Sequence, residues 1–167
     1  VEGYMDVISI FQSKIAQALA PLGTSISDKQ IQTIWSLSRK PLVCLDGDKA
    51  GEIAAWRLIN KILPNLRIGN EISFVWLPKN KDPDDMIRNS NNIKFLNLIN
   101  NPISLIDTIW EILKNKYDID KPDTKAQLWA EAKETVYQIK DTNLRQSYSD
   151  EVFRKIKNSR LINHSYT

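Results

Sequence analysis

Three acidic clusters carry the chemistry open to this chain: Glu2 and Asp6 in VEGYMD, Asp46 and Asp48 in DGD, and Asp82, Asp84 and Asp85 in KDPDD. Residues 1–88 contain ten acidic residues, and seven of them sit in these clusters. Carboxylates a few ångströms apart raise one another's pKa unless positive charge intervenes. A pair can share a proton, but five or more acids at one place call for cations. Oxygen ligands without histidine or cysteine suit Mg²⁺ or Mn²⁺. Zinc does not fit, because Cys44 lies within an apolar run and His164 in the C-terminal tail. Mg²⁺ on a few carboxylates keeps waters and takes phosphate oxygens, and a pair of such ions can clamp an in-line phosphoryl displacement. Phosphoryl or nucleotidyl transfer is the expected reaction class. Lys49, Lys79 and Lys81 flank the acids and could meet phosphate charge.

The elements that must position these acids are read from periodicity. PLVCL (41–45) is apolar without alternation, as a strand covered on both faces reads. A helix is predicted from about Lys49 to Leu63, stopped by Pro64. EISFVWLP (71–78) is the next strand, and ALAPLGT (18–24) a short one ending in a turn at Gly23. Residues 4–15 carry Ile8, Phe11 and Ile15 at helical spacing. Ser27 with Gln30 forms a capping box ahead of Ile31, Ile34, Trp35 and Leu37. Strands alternating with helices predict an α/β fold with a mostly parallel sheet. The carboxyl ends of its strands share one edge, so the three clusters should converge there. Asp46 and Asp48 are two apart, as are Asp82 and Asp84, and an extended backbone aims such pairs the same way. Beyond about residue 90 no strand is predicted. Stripes headed by Leu105, Leu128 and Leu144 predict three helices. The boundary is placed near 90, between an α/β lobe and a helical one.

Each feature also has a plainer reading. DG marks hairpin turns, DPDD can cap a short helix, and Cys44 fits a small core residue. Trp35, Trp110 and Trp129 fall near apolar stripes and read as core rather than base-stacking platforms. Arg154, Lys155, Lys157 and Arg160 read as a solvated helix face before a nucleic-acid contact. A net charge of +3, from 23 basic and 20 acidic residues, does not by itself indicate a nucleic-acid partner. The 167 residues suffice for one domain or two small lobes. A lone cysteine excludes an internal disulfide framework and fits a cytoplasmic setting. No apolar run is long enough to span a membrane. The opening Val1-Glu2-Gly3, without methionine, reads as an excised stretch whose first strand is truncated.

VEGYMDVISIFQ, LGTSIS, CLDGDKAGEIAAWR, and LP with KDPDDMIR, in that order, resemble the bacterial replicative DNA primases of the DnaG type, over most of the chain up to about Leu161. The resemblance implies a TOPRIM catalytic fold over 1–90 and a helical subdomain of the RNA polymerase core over 91–167. It implies synthesis of short RNA primers on single-stranded DNA from ribonucleoside triphosphates. By motif, Glu2, Asp46 and Asp48 are implied as catalytic metal-holding acids. Asp82 and Asp84 are implied as further acids at the metal and nucleotide, Asp6 as an accessory acid, and Lys49 as a phosphate contact. Mg²⁺ or Mn²⁺ is the implied cofactor. Zinc is implied only for a module preceding this region, and replicative-helicase binding for a domain following it, both expected to be absent from these residues. The fragment alone is expected to bind metal weakly and make little primer. One departure from the family is Ser13-Lys14, where a glycine is usual.

Rival readings have other chemistry. A haloacid-dehalogenase-like phosphatase uses one aspartate of a D-x-D as nucleophile, and the Glu2 segment and DPDD argue against it. Type IA topoisomerases and nucleases share the TOPRIM fold, but the topoisomerase REGE signature is missing. A non-catalytic binding fragment with vestigial acids is the third.

Overall fold

The structure, a computed structural model, describes the backbone of residues 1–21, 26–88 and 92–162, and the side chains of these up to Ser159. The turn expected at Gly23, the boundary near 90 and His164 lie outside the described residues.

A three-stranded sheet in the order β1-β2-β3 organises the chain. β1 (Leu42–Leu45) runs parallel to β2 (Ser73–Trp76), with Leu42 opposite Ser73 and Leu45 opposite Trp76. β3 (Ile103–Ser104) pairs antiparallel with β2. No strand was expected beyond residue 90. β3 is two residues long and too short to show a period. It follows Pro102 and ends where the Ser104 hydroxyl caps the next helix by accepting from the Asp107 amide at 3.2 Å. The strand expected over 18–24 is not formed at 18–21, and 22–24 lie outside the described residues. Pro21 has no N–H for a ladder, and the tie found is from the Val1 backbone nitrogen to the Leu19 carbonyl at 3.1 Å. Residues 1–3 are not a strand either.

Eight α-helices are described: α1 (Tyr4–Ser13), α2 (Asp28–Leu37), α3 (Lys49–Ile62), α4 (Pro83–Arg88), α5 (Asn92–Asn100), α6 (Leu105–Lys116), α7 (Pro122–Tyr137) and α8 (Thr142–Ile162). The Ser27 capping box is present, with Gln30 Oε1 accepting from the Ser27 amide at 2.8 Å. α3 ends at Ile62, and Pro64 sits in a short 3₁₀ turn, Leu63–Asn65.

Alternate strand residues feed two cores, as the period of a strand requires. Cys44 and Val75 join Ile10, Leu77, Met86 and Phe95 under α1, α4 and α5. Leu45 and Phe74 join Ile59, Ile109, Leu128, Val136 and Ile156 on the other face. That larger core is continuous from the sheet into α6, α7 and α8. The stripes predicted for these three helices supply it, while Trp129 is half-buried and stacks on Phe153 at 4.5 Å.

α1 does not bury the predicted stripe. Ile8 is 43% exposed and Phe11 73%, whereas Asp6, Ser9 and Ile10 are buried. The helix turns its polar side inward because that side bonds to α4. It ends at Lys14, which holds the left-handed conformation (φ 58°) that the usual glycine would adopt freely.

Candidate functional site

Two of the three acidic clusters reach one edge because β1 and β2 are parallel. Asp46 follows β1 directly, and Asp82 lies six residues beyond the end of β2. α1, which starts at Tyr4 between Glu2 and Asp6, packs on α4 and brings the remaining cluster alongside.

Two glycines set the position of Asp46. A Cβ on Gly47 would lie 1.8 Å from the Leu77 carbonyl oxygen, and one on Gly51 would lie 2.1 Å from the Asp46 carbonyl oxygen. Gly47 therefore lets the end of β1 close on the segment leaving β2, and Gly51 lets the first turn of α3 close on Asp46. Gly51 belongs to the quoted CLDGDKAGEIAAWR stretch, but no role was assigned to it there. The signal was a glycine in the first turn of a helix, where it costs helix propensity without an apparent return.

Asp46 is half-buried. Burial first, and then the negative charges of Glu2, Asp48, Asp6 and Asp82, push its carboxyl up to about 6. Four acids thus act on Asp46 by their charge. Burial also raises the Asp6 carboxyl, and Asp82 adds to it, against the bond from the Gly3 amide.

Several of these acids have local bonds. Asp48 caps α3, its Oδ1 accepting from the Gly51 amide at 2.8 Å. Asp82 caps α4, its Oδ1 accepting from the Asp85 amide at 2.6 Å, so the plainer reading of DPDD as a cap also holds. Asp6 Oδ2 accepts from the Gly3 amide at 3.1 Å. Asp84 departs from the expected direction. Helix α4 begins at Pro83, so the backbone between Asp82 and Asp84 is not extended. Asp84 Oδ1 accepts from the Ser9 hydroxyl and from Arg88 Nε at 2.8 Å, and Asp84 is not among the charges that raise Asp46. Ser9 and Arg88 were not predicted as part of the site.

Among the described residues, no group of three or more His, Cys, Asp or Glu converges closely enough to hold a metal ion. Glu2, Asp46, Asp48, Asp82 and Asp84 thus do not form a closed ligand set, since caps and the Ser9 bond orient three of them. The donor chemistry still fits a hard cation. Mg²⁺ is commonly held by one or two carboxylates and several waters, and Asp46 is crowded by negative charge, with no ion pair to a basic side chain among the described residues. Of the lysines, Lys81 lies 3.8 Å from Asp85. Lys49 and Lys79 are exposed and form no ion pair among the described residues.

A family model described as Toprim-like matches residues 1–87, just over half the chain. The chain belongs to the Toprim-like family. Within it, sequence and fold match bacterial DnaG-type primases. The DNA primase of Rickettsia felis is 38% identical over 148 residues, covering 89% of this chain and 25% of that protein. The E. coli primase catalytic core superposes with a TM-score of 0.84 at 33% identity, over 93% of this chain and 50% of that one. A DnaG primase catalytic domain bound to single-stranded DNA gives 0.83 at 32%, with the same two coverages. The chain thus spans about a quarter of the length of the curated primases it matches. A second model, described as the DnaB-helicase binding domain of primase, matches residues 109–156. The helicase-binding part was expected in a domain following these residues, and a stretch similar to a model of that name falls within them. Most of 109–156 also falls within the alignment to the catalytic core, which covers 93% of this chain. No helix among the described residues is long and apolar enough to cross a membrane.

Proposed function

We propose that the protein to which this chain belongs makes short RNA primers on single-stranded DNA from ribonucleoside triphosphates, and that the Asp46 edge is where the nucleotides are joined. The observation that carries the reading is the position of Asp46 at the carboxyl edge of a parallel strand pair, under the charges of Glu2, Asp48, Asp6 and Asp82, in a chain that matches primase cores along 93% of its length. Residues 1–90 would be the catalytic part and 91–167 the helical part of the polymerase core.

Glu2, Asp46 and Asp48 would hold Mg²⁺, with Asp82 beside them and Asp6 and Asp84 in support. Mg²⁺ bound there supplies positive charge to the attacking 3′-hydroxyl and to the departing pyrophosphate. The chain's own work is placement. Gly47 and Gly51 pin Asp46, and the caps fix Asp48 and Asp82. The N-terminus of α3 presents its positive dipole end beside Asp46. Lys49 and Lys79, which are exposed, would meet triphosphate charge, and Lys81 could do so on leaving Asp85. DNA, the RNA primer and the helicase would be partners of the whole protein, the last through residues 109–156. No observation favours the topoisomerase, nuclease or binding-fragment readings.

Primer synthesis by the full-length protein, compared with its Asp46→Asn variant, tests this. We expect loss of primers with Mg²⁺ and triphosphates present. Undiminished synthesis by the variant would overturn the reading. The 167-residue chain alone should make little primer.

A further inference from the structure

α1 is a ten-residue helix with little apolar hold on the protein. Ile10 is its one buried hydrophobic residue, while Tyr4, Met5, Ile8 and Phe11 are exposed. α6, by contrast, buries Leu105, Ile109, Trp110, Ile112 and Leu113. Hydrophobic burial acts without direction, so one isoleucine cannot fix where α1 sits along α4. Directional bonds must.

Those bonds form a clasp. The buried Ser9 hydroxyl donates to Asp84 Oδ1. One turn back on α1, Asp6 is buried as well. Asp6 Oδ2 accepts from the Gly3 amide, the residue after Glu2. Asp84 lies two residues after Asp82, whose carboxylate caps the same helix. The clasp therefore joins the segment that carries Glu2 to the segment that carries Asp82. We propose that Ser9 is a positioning residue: through Asp84 it sets the spacing of α1 and α4, and so the places of Glu2 and Asp82 beside Asp46. This rests on the metal site proposed above. Ser9 touches neither substrate nor ion and acts only through Asp84.

A residue that merely fills space would affect stability but leave the metal affinity of the folded protein alone. The test is Mn²⁺ titration calorimetry on the 167-residue chain and its Ser9→Ala and Ser9→Thr variants, with thermal midpoints recorded in metal-free buffer. We expect Ser9→Ala to bind Mn²⁺ about tenfold more weakly, the lower end of what loss of an orienting partner costs a metal site. Ser9→Thr, which keeps the hydroxyl, should restore most of that affinity. Equal affinity in wild type and Ser9→Ala overturns the role, whatever the midpoints do. Equal weakness in the alanine and threonine variants overturns it too, since the hydroxyl would then not matter. Absence of Mn²⁺ binding by the wild type overturns the metal reading and the positioning role with it.

Discussion

Asp46-Gly47-Asp48 and Asp82-Pro83-Asp84 have the same spacing and opposite fates. Around Gly47 the chain leaves β1 with Asp46 facing a crowd of acids, and Asp48 adds its charge. After Asp82, Pro83 opens a helix, and Asp84 turns away to Ser9 and Arg88. Spacing of two aims side chains alike only while the backbone stays extended. Neither motif keeps it extended: the chain bends at Gly47 and Asp48, which caps α3, and turns helical at Pro83. Glycine permits the close approach to Leu77, whereas proline is already set for the first turn of a helix.

The contrast breaks most sharply at its glycine. Gly47→Ala would place a methyl 1.8 Å from the Leu77 carbonyl oxygen, which the backbone cannot yield cheaply. A loss of about 3 kcal/mol is expected, at the upper end of overpacking costs, measured by urea denaturation. A loss below about 1 kcal/mol would mean that the strand ends are not closed together as described.

Metal affinity should separate the two motifs next. Asp46→Asn should weaken Mn²⁺ binding by about 100-fold, and Asp84→Asn by about tenfold, following the scale for partners that act on a site indirectly. Equal losses would place Asp84 at the ion. Asp46 should also make stability depend on pH without metal. The folded protein holds the Asp46 proton up to about pH 6, against an ordinary value of 3.8. Proton uptake therefore favours the native state. The stabilisation is complete below the ordinary value and lost as pH rises through 6. Metal-free wild type should thus gain stability between pH 7 and pH 5 relative to Asp46→Asn. A parallel pH course in the two would contradict the crowding of Asp46.

Smaller effects test the caps and the turn. Asp48→Ala and Asp82→Ala each remove an N-cap and should cost about 1 kcal/mol, seen in chemical denaturation without metal. Lys14→Gly relieves the left-handed conformation at the end of α1. It should gain about 0.5 kcal/mol, the strain of roughly 1 to 2 kcal/mol less the greater freedom of glycine in the unfolded chain.

Much of this was legible in the sequence for physical reasons. β1 reads as a continuous apolar run because both of its faces are covered. The helices after residue 104 read correctly because their stripes feed one large core. The acids were visible as seven carboxylates concentrated in three short stretches. α1 misled because its buried face is Asp6, Ser9 and Ile10, and hydrophobic periodicity cannot report a face held by hydrogen bonds. β3 had too few residues for a period. The directions of Asp84 and the close approaches at Gly47 and Gly51 depend on the partner segment, which no local window contains.

Cys44 offers an experimental handle. It is the chain's one cysteine, lies in the smaller core, and has its thiol pushed up to about 12 by burial. Thiol reagents attack the thiolate, so the native protein should be silent to them. A single cysteine introduced at Phe11 or Lys79 would then carry a spin label or fluorophore without background. Modification of Cys44 itself would be a clock for the opening of the sheet beneath α1.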